Sequence, residues 1–149
     1  MGGGLAIANA CDLRIAVTGA RFGVPIARTL GNCLSPANLR RLCDTLGVGW
    51  VKRMVLLAEM PTADELRPLG YLSAVVSAEE LDARVDDTCQ RLLAHAPGTM
   101  RVTREMLLRL ATDPQAQADD LIESCYGSED FREGVEAFST KNPPRWQGR

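Results

Sequence analysis

The sequence of 149 residues has few aromatic residues, no cluster of basic residues and no long apolar run. Aromatic side chains make up 5% of it and the formal net charge is −2, so neither base-stacking platforms nor a basic face for nucleic acid is expected. No apolar stretch reaches the roughly 18 residues of a membrane-spanning helix, so a membrane partner is not expected. The 46% hydrophobic and 24% charged residues that are present are typical of a globular protein.

Cysteine pairs with metal-ligand spacing are also missing. The five cysteines are odd in number and contain no CxxC pair, which argues against a disulfide framework and against a structural zinc site. They fit reduced, mostly buried thiols in a cytoplasmic protein, and the first residues do not read as a signal peptide. No metal ion or organic cofactor is implied.

Strand patterns are short and few. Alternating apolar residues predict one strand at 13–17 and a second at 71–76, with a helix-compatible segment at 5–11 and a loop rich in glycine and proline at 21–35. Two isolated strands are marginally stable at best. We therefore expect the C-terminal portion of a larger α/β domain whose other strands precede Met1, and an all-helical chain is the alternative.

Apolar stripes at helical spacing account for most of the chain after Ser35. Gly47 and Gly49 are expected to break the first stripe. Capping boxes, in which a hydroxyl residue stands three positions before a glutamate, predict helix starts at Thr62 and Ser77. The remaining stripes predict helices at 99–111, 119–126 and 128–139.

Three consecutive glycines, Gly2-Gly3-Gly4, stand directly before the first helical segment. They fit a flexible terminus. They also fit a binding site, because glycine lets the backbone approach a ligand closely and the first N–H groups of a helix point at an anion. One such donor to a developing oxyanion is typically worth about 2.7–4 kcal/mol of the barrier.

Three separated motifs resemble the crotonase superfamily, the enoyl-CoA hydratases and isomerases. They are GGGLAIANACDLRIA at 2–16 with ARFGVP at 20–25, TADELRPLGYLSAVV at 62–76, and SEDFREGVEAF at 128–138 followed by Lys141 and Pro144. The second is similar to the family pattern A-x-E-A-x-x-x-G-L-V-x-x-V. The resemblance implies an α/β fold, a spiral of ββα turns whose N-terminal part this chain lacks. The chain itself is helix-dominated and would comprise the end of this core at 1–76 and helices at 77–149 that form a homotrimer or a dimer of trimers.

The resemblance also implies an acyl-CoA thioester as substrate, with CoA entering as part of the substrate. The thioester carbonyl would accept a hydrogen bond from the N–H of Gly3, next to Gly2, and from a second N–H in an earlier loop that this chain does not contain. The wall of the acyl pocket would come from the loop at 22–35, with Pro25, Ile26 and Leu30. Lys141 would reach the CoA phosphates of a neighbouring subunit, although its charge equally fits a solvated terminus.

Both glutamates that activate water in the family's hydratases are replaced. The position two residues after the glycines is Ala6, and the position after Pro25 is Ile26, so the spacing of twenty residues is kept while the carboxylates are absent. Loss of a general acid or base typically costs 10²–10⁴-fold in rate, which puts hydration in doubt. Cys33 would be a nucleophile only beside a base, and the single histidine, His95, fits better as the charged end of a helix.

Three hypotheses remain open. The first is an acyl-CoA-binding enzyme of the hydratase type, with isomerisation or another acyl-CoA reaction as a variant. The second is a truncated, inactive homologue that keeps the helices for self-association or for assembly with a full-length relative. The third is a start at an internal methionine of a longer protein, so that Met1 is not the true first residue.

Overall fold

The computed structural model describes residues 2–149, so Met1 and the question of the chain's true start lie outside the described part. Eight helices and two strands occur in this part. In chain order they are α1 (Gly3–Ala10), β1 (Ile15–Val17), α2 (Ile26–Thr29), α3 (Pro36–Leu56), α4 (Ala63–Leu66), β2 (Ala74–Val76), α5 (Leu81–Leu93), α6 (Pro97–Thr112), α7 (Asp119–Tyr126) and α8 (Glu129–Thr140). A single 3₁₀ turn, Arg67–Leu69, follows α4.

The predicted helix-dominated α/β class is confirmed. β1 and β2 form a parallel pair in which Ile15 lies beside Ala74 and Val17 beside Val76. Both strands are shorter than predicted, three residues each. One hydrogen bond continues the ladder at each end, from Ser73 N–H to the carbonyl of Arg14 at 2.8 Å and from Thr18 N–H to that of Val76 at 2.8 Å.

Both predicted capping boxes form: α4 begins directly after Thr62 as predicted, whereas α5 begins at Leu81, four residues after Ser77. The Thr62 side chain accepts from Glu65 N–H at 3.3 Å, while the Glu65 carboxylate accepts from Thr62 N–H at 2.8 Å. Ser77 and Glu80 make the same reciprocal pair at 3.1 and 3.3 Å before α5. The break in α3 falls at Gly47, whose φ of 78° and ψ of 150° are not helical.

Two expectations are wrong. The segment 21–35 is not wholly irregular, because α2 forms a helical turn within it that places Ile26 in the core. The cysteines are not mostly buried: Cys11, Cys33 and Cys89 are exposed, and Cys43 and Cys125 are half-buried. Cys11 follows the end of α1, and Cys33 lies in the irregular stretch between α2 and α3.

The chain divides into two compact units, residues 1–85 and residues 86–149, here called the N-terminal and C-terminal units. The hydrophobic core cluster lies in the N-terminal unit, where α1 and α2 both pack against α3. Its members are Leu5, Ala16, Val24, Ile26, Leu42, Leu46, Val51, Met54, Ala63, Leu66, Tyr71 and Leu72.

In the C-terminal unit, polar contacts join the helices. The Arg109 guanidinium on α6 binds both carboxylate oxygens of Asp120 on α7 at 2.7 and 2.8 Å, and it also donates to Glu105 at 3.2 Å. This pairing raises the pKa of Arg109 above its usual range and lowers that of Asp120. No helix among residues 2–149 combines the length and the apolarity that crossing a membrane requires.

Candidate functional site

The start of α1 presents an open helix N-terminus. Gly2 precedes the helix with φ 55° and ψ −126°, a conformation that glycine adopts without strain. Its N–H donates to the carbonyl of Gly23 at 3.1 Å, and its own carbonyl accepts from Leu5 N–H at 3.1 Å. The first N–H groups of a helix have no intrahelical acceptor, and the N–H groups of Gly3 and Gly4 belong to this set.

The surroundings of Gly3 leave room for a ligand. Gly3 and Gly4 are exposed, and a methyl group added to either would meet no described atom within 4 Å beyond the adjacent residues and the backbone of α1 itself. The first turn of α1 has no acidic residue, and no side chain caps it. Within this helix, therefore, nothing offsets the positive end of the helix dipole, which favours an anion or a polarised carbonyl oxygen at this place.

The residues at the two replaced glutamate positions are apolar and packed. Ala6 is half-buried on α1, and Ile26, the first residue of α2, is 8% exposed and belongs to the core cluster with Leu5 and Val24. These two positions therefore offer no proton donor or acceptor. The hydrogen-bond donors of the first turn of α1 are the backbone N–H groups of Gly3 and Gly4.

The other predicted site residues are divided between the two units. Pro25 is half-buried, and its carbonyl accepts from Arg28 N–H and Thr29 N–H, both at 3.1 Å. Leu30 is exposed at the end of α2. Through Gly2 and Gly23, and through the shared core, the structure brings the start of α1 and the segment at 23–26 together. Lys141 lies in the C-terminal unit, exposed, where its φ of 57° ends α8.

Two polar side chains hold the other end of α1, and sequence reasoning missed both roles. Asn9 is buried on α1, and its side-chain oxygen accepts from the Thr45 hydroxyl on α3 at 3.0 Å. Arg14 donates to the carbonyl of Ala8 at 3.3 Å and to that of Cys11. A cation at the end of a helix satisfies carbonyls that the helix leaves without partners.

Arg14 also contacts Tyr71, which is 1% exposed. The guanidinium donates through Nε to the Tyr71 carbonyl at 2.7 Å and lies 4.7 Å from the centre of the Tyr71 ring. Burial raises the pKa of the Tyr71 hydroxyl, and this hydroxyl has no hydrogen-bond partner. One signal could have found Tyr71: it occupies the leucine position of the family pattern at 63–75.

The remaining nucleophile and base candidates do not gather at this site. Cys33 is exposed between α2 and α3, and His95 is exposed just after α5, as its interpretation as a helix end predicts. Over residues 2–149, no group of three or more His, Cys, Asp or Glu side chains is arranged to hold a metal ion.

The chain is similar to known proteins along its length. The family model described as enoyl-CoA hydratase/isomerase matches residues 1–149. A short-chain-enoyl-CoA hydratase of Clostridium acetobutylicum is 28% identical over 152 residues, which cover 95% of this chain and 55% of that protein. A crotonyl-CoA hydratase of Syntrophomonas wolfei is 30% identical with the same coverage.

Solved structures of proteins described as enoyl-CoA hydratases or isomerases also resemble this chain. The crystal structure of an enoyl-CoA hydratase/isomerase family protein from Hyphomonas neptunium matches with a TM-score of 0.89 and 31% identity, over 99% of this chain and 57% of that one. A short-chain enoyl-CoA hydratase from Novosphingobium aromaticivorans matches with a TM-score of 0.89 and 25% identity. The chain spans slightly more than half the length of the Clostridium acetobutylicum and Hyphomonas neptunium relatives.

Proposed function

Because the chain belongs to the enoyl-CoA hydratase/isomerase family of the crotonase superfamily, we propose that it binds acyl-CoA thioesters at the N-terminus of α1. The Gly3 N–H donates to the thioester carbonyl oxygen. The acyl group is surrounded by Gly2, Pro25, Ile26 and Leu30. Where the chain assembles, Lys141 attracts the phosphates of a CoA molecule that is bound to a neighbouring subunit. The observation that carries this proposal is the open, uncapped start of α1 beside exposed glycines.

The chemistry that this arrangement supports is polarisation of the carbonyl. A donor aimed at the oxygen stabilises the negative charge that develops there when the α-carbon is deprotonated or the β-carbon is attacked, an effect of about 2.7–4 kcal/mol per donor. Relatives of this chain are named as hydratases of enoyl-CoA and crotonyl-CoA.

Hydration itself needs proton transfer to and from water and carbon. Ala6 and Ile26 supply no carboxylate for this, and the loss of each general acid or base typically lowers the rate by 10²–10⁴-fold. We therefore expect binding of the thioester with hydration far slower than a pair of carboxylates would support. Isomerisation or another acyl-CoA reaction remains the variant of this proposal.

A single proline substitution at Gly3 tests whether its N–H is the donor to the thioester. Gly3 is the first residue of α1, where proline is tolerated because its missing N–H has no intrahelical partner. Gly3→Pro should weaken binding of crotonyl-CoA relative to free CoA by about tenfold or more in calorimetric titration, the loss of one hydrogen bond to a polarised carbonyl.

Gly4→Ala is the matched control, because it keeps the Gly3 N–H and changes a glycine that the proposal does not place against the ligand. It should bind crotonyl-CoA as the parent chain does. Equal affinities of the two variants, or a parent chain that binds crotonyl-CoA no better than CoA, would contradict the proposal. Appearance of 3-hydroxybutyryl-CoA at the rate of a carboxylate-bearing relative would contradict the expected loss of hydration.

The exposed apolar side chains of the C-terminal unit favour a second function, self-association. Phe138 on α8 is 88% exposed and Leu93 at the end of α5 is 75% exposed, and exposed apolar patches mark association sites. We propose that this unit forms a homo-oligomer, a trimer or a dimer of trimers. Phe138→Asp should lower the mass measured by light scattering, whereas Ser139→Asp, the exposed neighbour on α8, should not. A parent chain that is monomeric at every concentration contradicts this function.

A further inference from the structure

Tyr71 connects the two ends of α1. On one side, Arg14 lies over its ring and binds its carbonyl while also binding the carbonyls of Ala8 and Cys11 at the C-terminal end of the helix. On the other side, the Phe22 ring meets the Tyr71 ring edge-on, with 5.7 Å between ring centres and 84° between planes.

Phe22 is connected to the N-terminal end of α1 through the next residue in the chain, Gly23. Its neighbour Gly23 accepts the Gly2 N–H at 3.1 Å, and Phe22 N–H donates to the carbonyl of Pro61 at 2.9 Å. Gly23 is packed so closely that a methyl group there would overlap the Met60 sulfur and lie 3.0 Å from the carbonyl of Glu59. The acceptor for Gly2 is therefore held in place from two sides, by backbone bonding and by close packing.

We propose that Arg14 and Tyr71 are positioning residues that fix both ends of α1 and thereby set the direction of the Gly3 N–H. This rests on the proposed function in so far as that N–H is the donor to the thioester. A misplacement of about 1 Å can cost 10²-fold in an oriented reaction, so a clamp on an eight-residue helix has a large effect on the donor it carries.

The Tyr71 ring, not its hydroxyl, performs this role. The hydroxyl is buried without a partner, and an unpaired buried hydroxyl is unfavourable. Tyr71→Phe keeps the ring that faces Arg14 and Phe22, whereas Tyr71→Leu removes both ring contacts. Arg14→Lys keeps the charge but lacks the planar fork of donors that reaches several carbonyls at once.

Amide hydrogen exchange tests the clamp without any ligand. The Gly2 and Leu5 amides report the start of α1, because they donate to Gly23 and Gly2 at 3.1 Å. In Tyr71→Leu and Arg14→Lys these amides should exchange about tenfold faster, the size expected for losing an aromatic pair in the first variant and a hydrogen bond from a charged donor in the second. The Phe131 amide in the C-terminal unit, which donates to the Ser128 hydroxyl at 3.0 Å, should keep its rate. Tyr71→Phe should match the parent chain.

A spectroscopic measurement tests the effect on the donor. In crotonyl-CoA bound to the parent chain, the thioester carbonyl stretch should move to lower frequency than in solution, because the N–H polarises the bond. Tyr71→Leu and Arg14→Lys should lose most of that shift while their affinity for crotonyl-CoA falls less than tenfold, and Tyr71→Phe should keep it. A variant that only destabilised the chain would not change the carbonyl frequency of the folded, ligand-bound fraction.

Two outcomes separate this inference from the proposed function. If the parent chain does not bind crotonyl-CoA but the Gly2 and Leu5 amides exchange faster in Tyr71→Leu than in Tyr71→Phe, the proposed function fails and the clamp stands. If exchange is equal in Tyr71→Leu, Arg14→Lys and Tyr71→Phe, or if it rises equally at Phe131, the clamp is overturned, whatever the chain binds.

Discussion

The two units expose large apolar side chains to a similar extent but differ sharply in how many they bury. In the N-terminal unit, α1, α2 and α3 enclose a core in which Leu5, Met54 and Leu66 are at most 2% exposed. In the C-terminal unit, the buried hydrophobic residues among those described are Val102 and Ala137, while large apolar side chains point outward along its helices. The exposed set is Leu92, Leu93, Leu107, Leu108, Leu110, Ile122, Tyr126, Phe131, Val135 and Phe138.

This difference means that the two units are stabilised by different kinds of interaction. A buried core orients the open start of α1 from within the N-terminal unit. The C-terminal unit buries few apolar residues and is held in part by specific polar contacts, and exposed apolar side chains such as those on its helices are typical of association surfaces. Substitutions of buried apolar residues should therefore cost most in the N-terminal unit, whereas the C-terminal unit should respond to the loss of single hydrogen bonds and single packing contacts.

The largest effect is expected in the core behind α1. Leu5→Ala should lower the free energy of unfolding by about 2–5 kcal/mol, because it removes buried methyl groups and leaves a cavity. Ile7→Ala on the same helix is the matched control: Ile7 is 72% exposed, so its loss should change the free energy by less than about 0.5 kcal/mol. Urea unfolding measures both. Similar losses would mean that α1 is not held by its buried face.

A smaller effect is expected from a buried carboxylate in the C-terminal unit. Asp130 is buried on α8, and its two oxygens accept from Gln147 N–H at 2.7 Å and Gly148 N–H at 2.8 Å. Asp130→Asn keeps one acceptor and turns an amide NH₂ toward the other N–H, so stability should fall by about 1–3 kcal/mol.

The exchange rates of the Gln147 and Gly148 amides give a local measure of that loss, and both should increase. Glu129→Gln is the control, because Glu129 pairs with Arg149 at an exposed site at 2.8 Å, and such pairs contribute about 0–1 kcal/mol. If Glu129→Gln loosened the tail as much as Asp130→Asn, the contrast between buried and exposed contacts in this unit would fail.

Local patterns explain what could be predicted from the sequence. Both capping boxes are formed by residues three positions apart, and the strand at Ile15–Val17 lies within its alternating pattern, so neighbours along the chain carried enough information. The predicted role of Gly2-Gly3-Gly4 depends on neighbours in the same way, because these glycines form the cap and the first two residues of α1. The family resemblance placed the chain in its fold class and is confirmed by the match over residues 1–149.

Contacts distant in sequence explain what was missed. Arg14 and Tyr71 are 57 residues apart, and the partners of Asp130 lie 17 and 18 residues away in an irregular tail. No periodicity connects such positions. The helical turn α2 was missed because glycine and proline around it indicate a loop, while burial of Ile26 stabilises the turn.

A third experiment concerns packing against Trp146. A methyl group on Gly134 of α8 would lie 3.2 Å from Cη2 of the Trp146 ring, so Gly134→Ala should displace the ring. The indole donates to the carbonyl of Ala94 at 3.0 Å, and loss of that bond should change the tryptophan fluorescence. Gly98→Ala on α6 is the control, because its methyl group enters open space and favours the helix. We expect Gly134→Ala to be less stable than Gly98→Ala by about 1 kcal/mol.

The smallest effect compares one carboxylate from each unit. The pKa of Glu65 is lowered below 4.5 by two hydrogen bonds from Thr62, of which the backbone N–H has the larger effect and the hydroxyl the smaller. The pKa of Asp120 is lowered below 3.8 by hydrogen bonds from the side chain of Arg109. A carboxyl whose pKa is lowered by folding stabilises the protein above its unfolded pKa, and that stabilisation is lost as pH falls through the folded pKa. Both contributions should therefore disappear on acidification below about pH 4.5 for Glu65 and below about pH 3.8 for Asp120.

Substitution of the partner separates the two causes. Thr62→Val removes the hydroxyl but keeps the N–H that donates to Glu65 at 2.8 Å, so the pKa of Glu65 should rise only part of the way to 4.5. Arg109→Gln removes the charge and the paired donors, so the pKa of Asp120 should return nearly to 3.8. Carboxyl-carbon chemical shifts measured against pH follow both groups. An equal or larger rise at Glu65 would mean that the hydroxyl, and not the backbone of the N-terminal unit, holds that carboxylate.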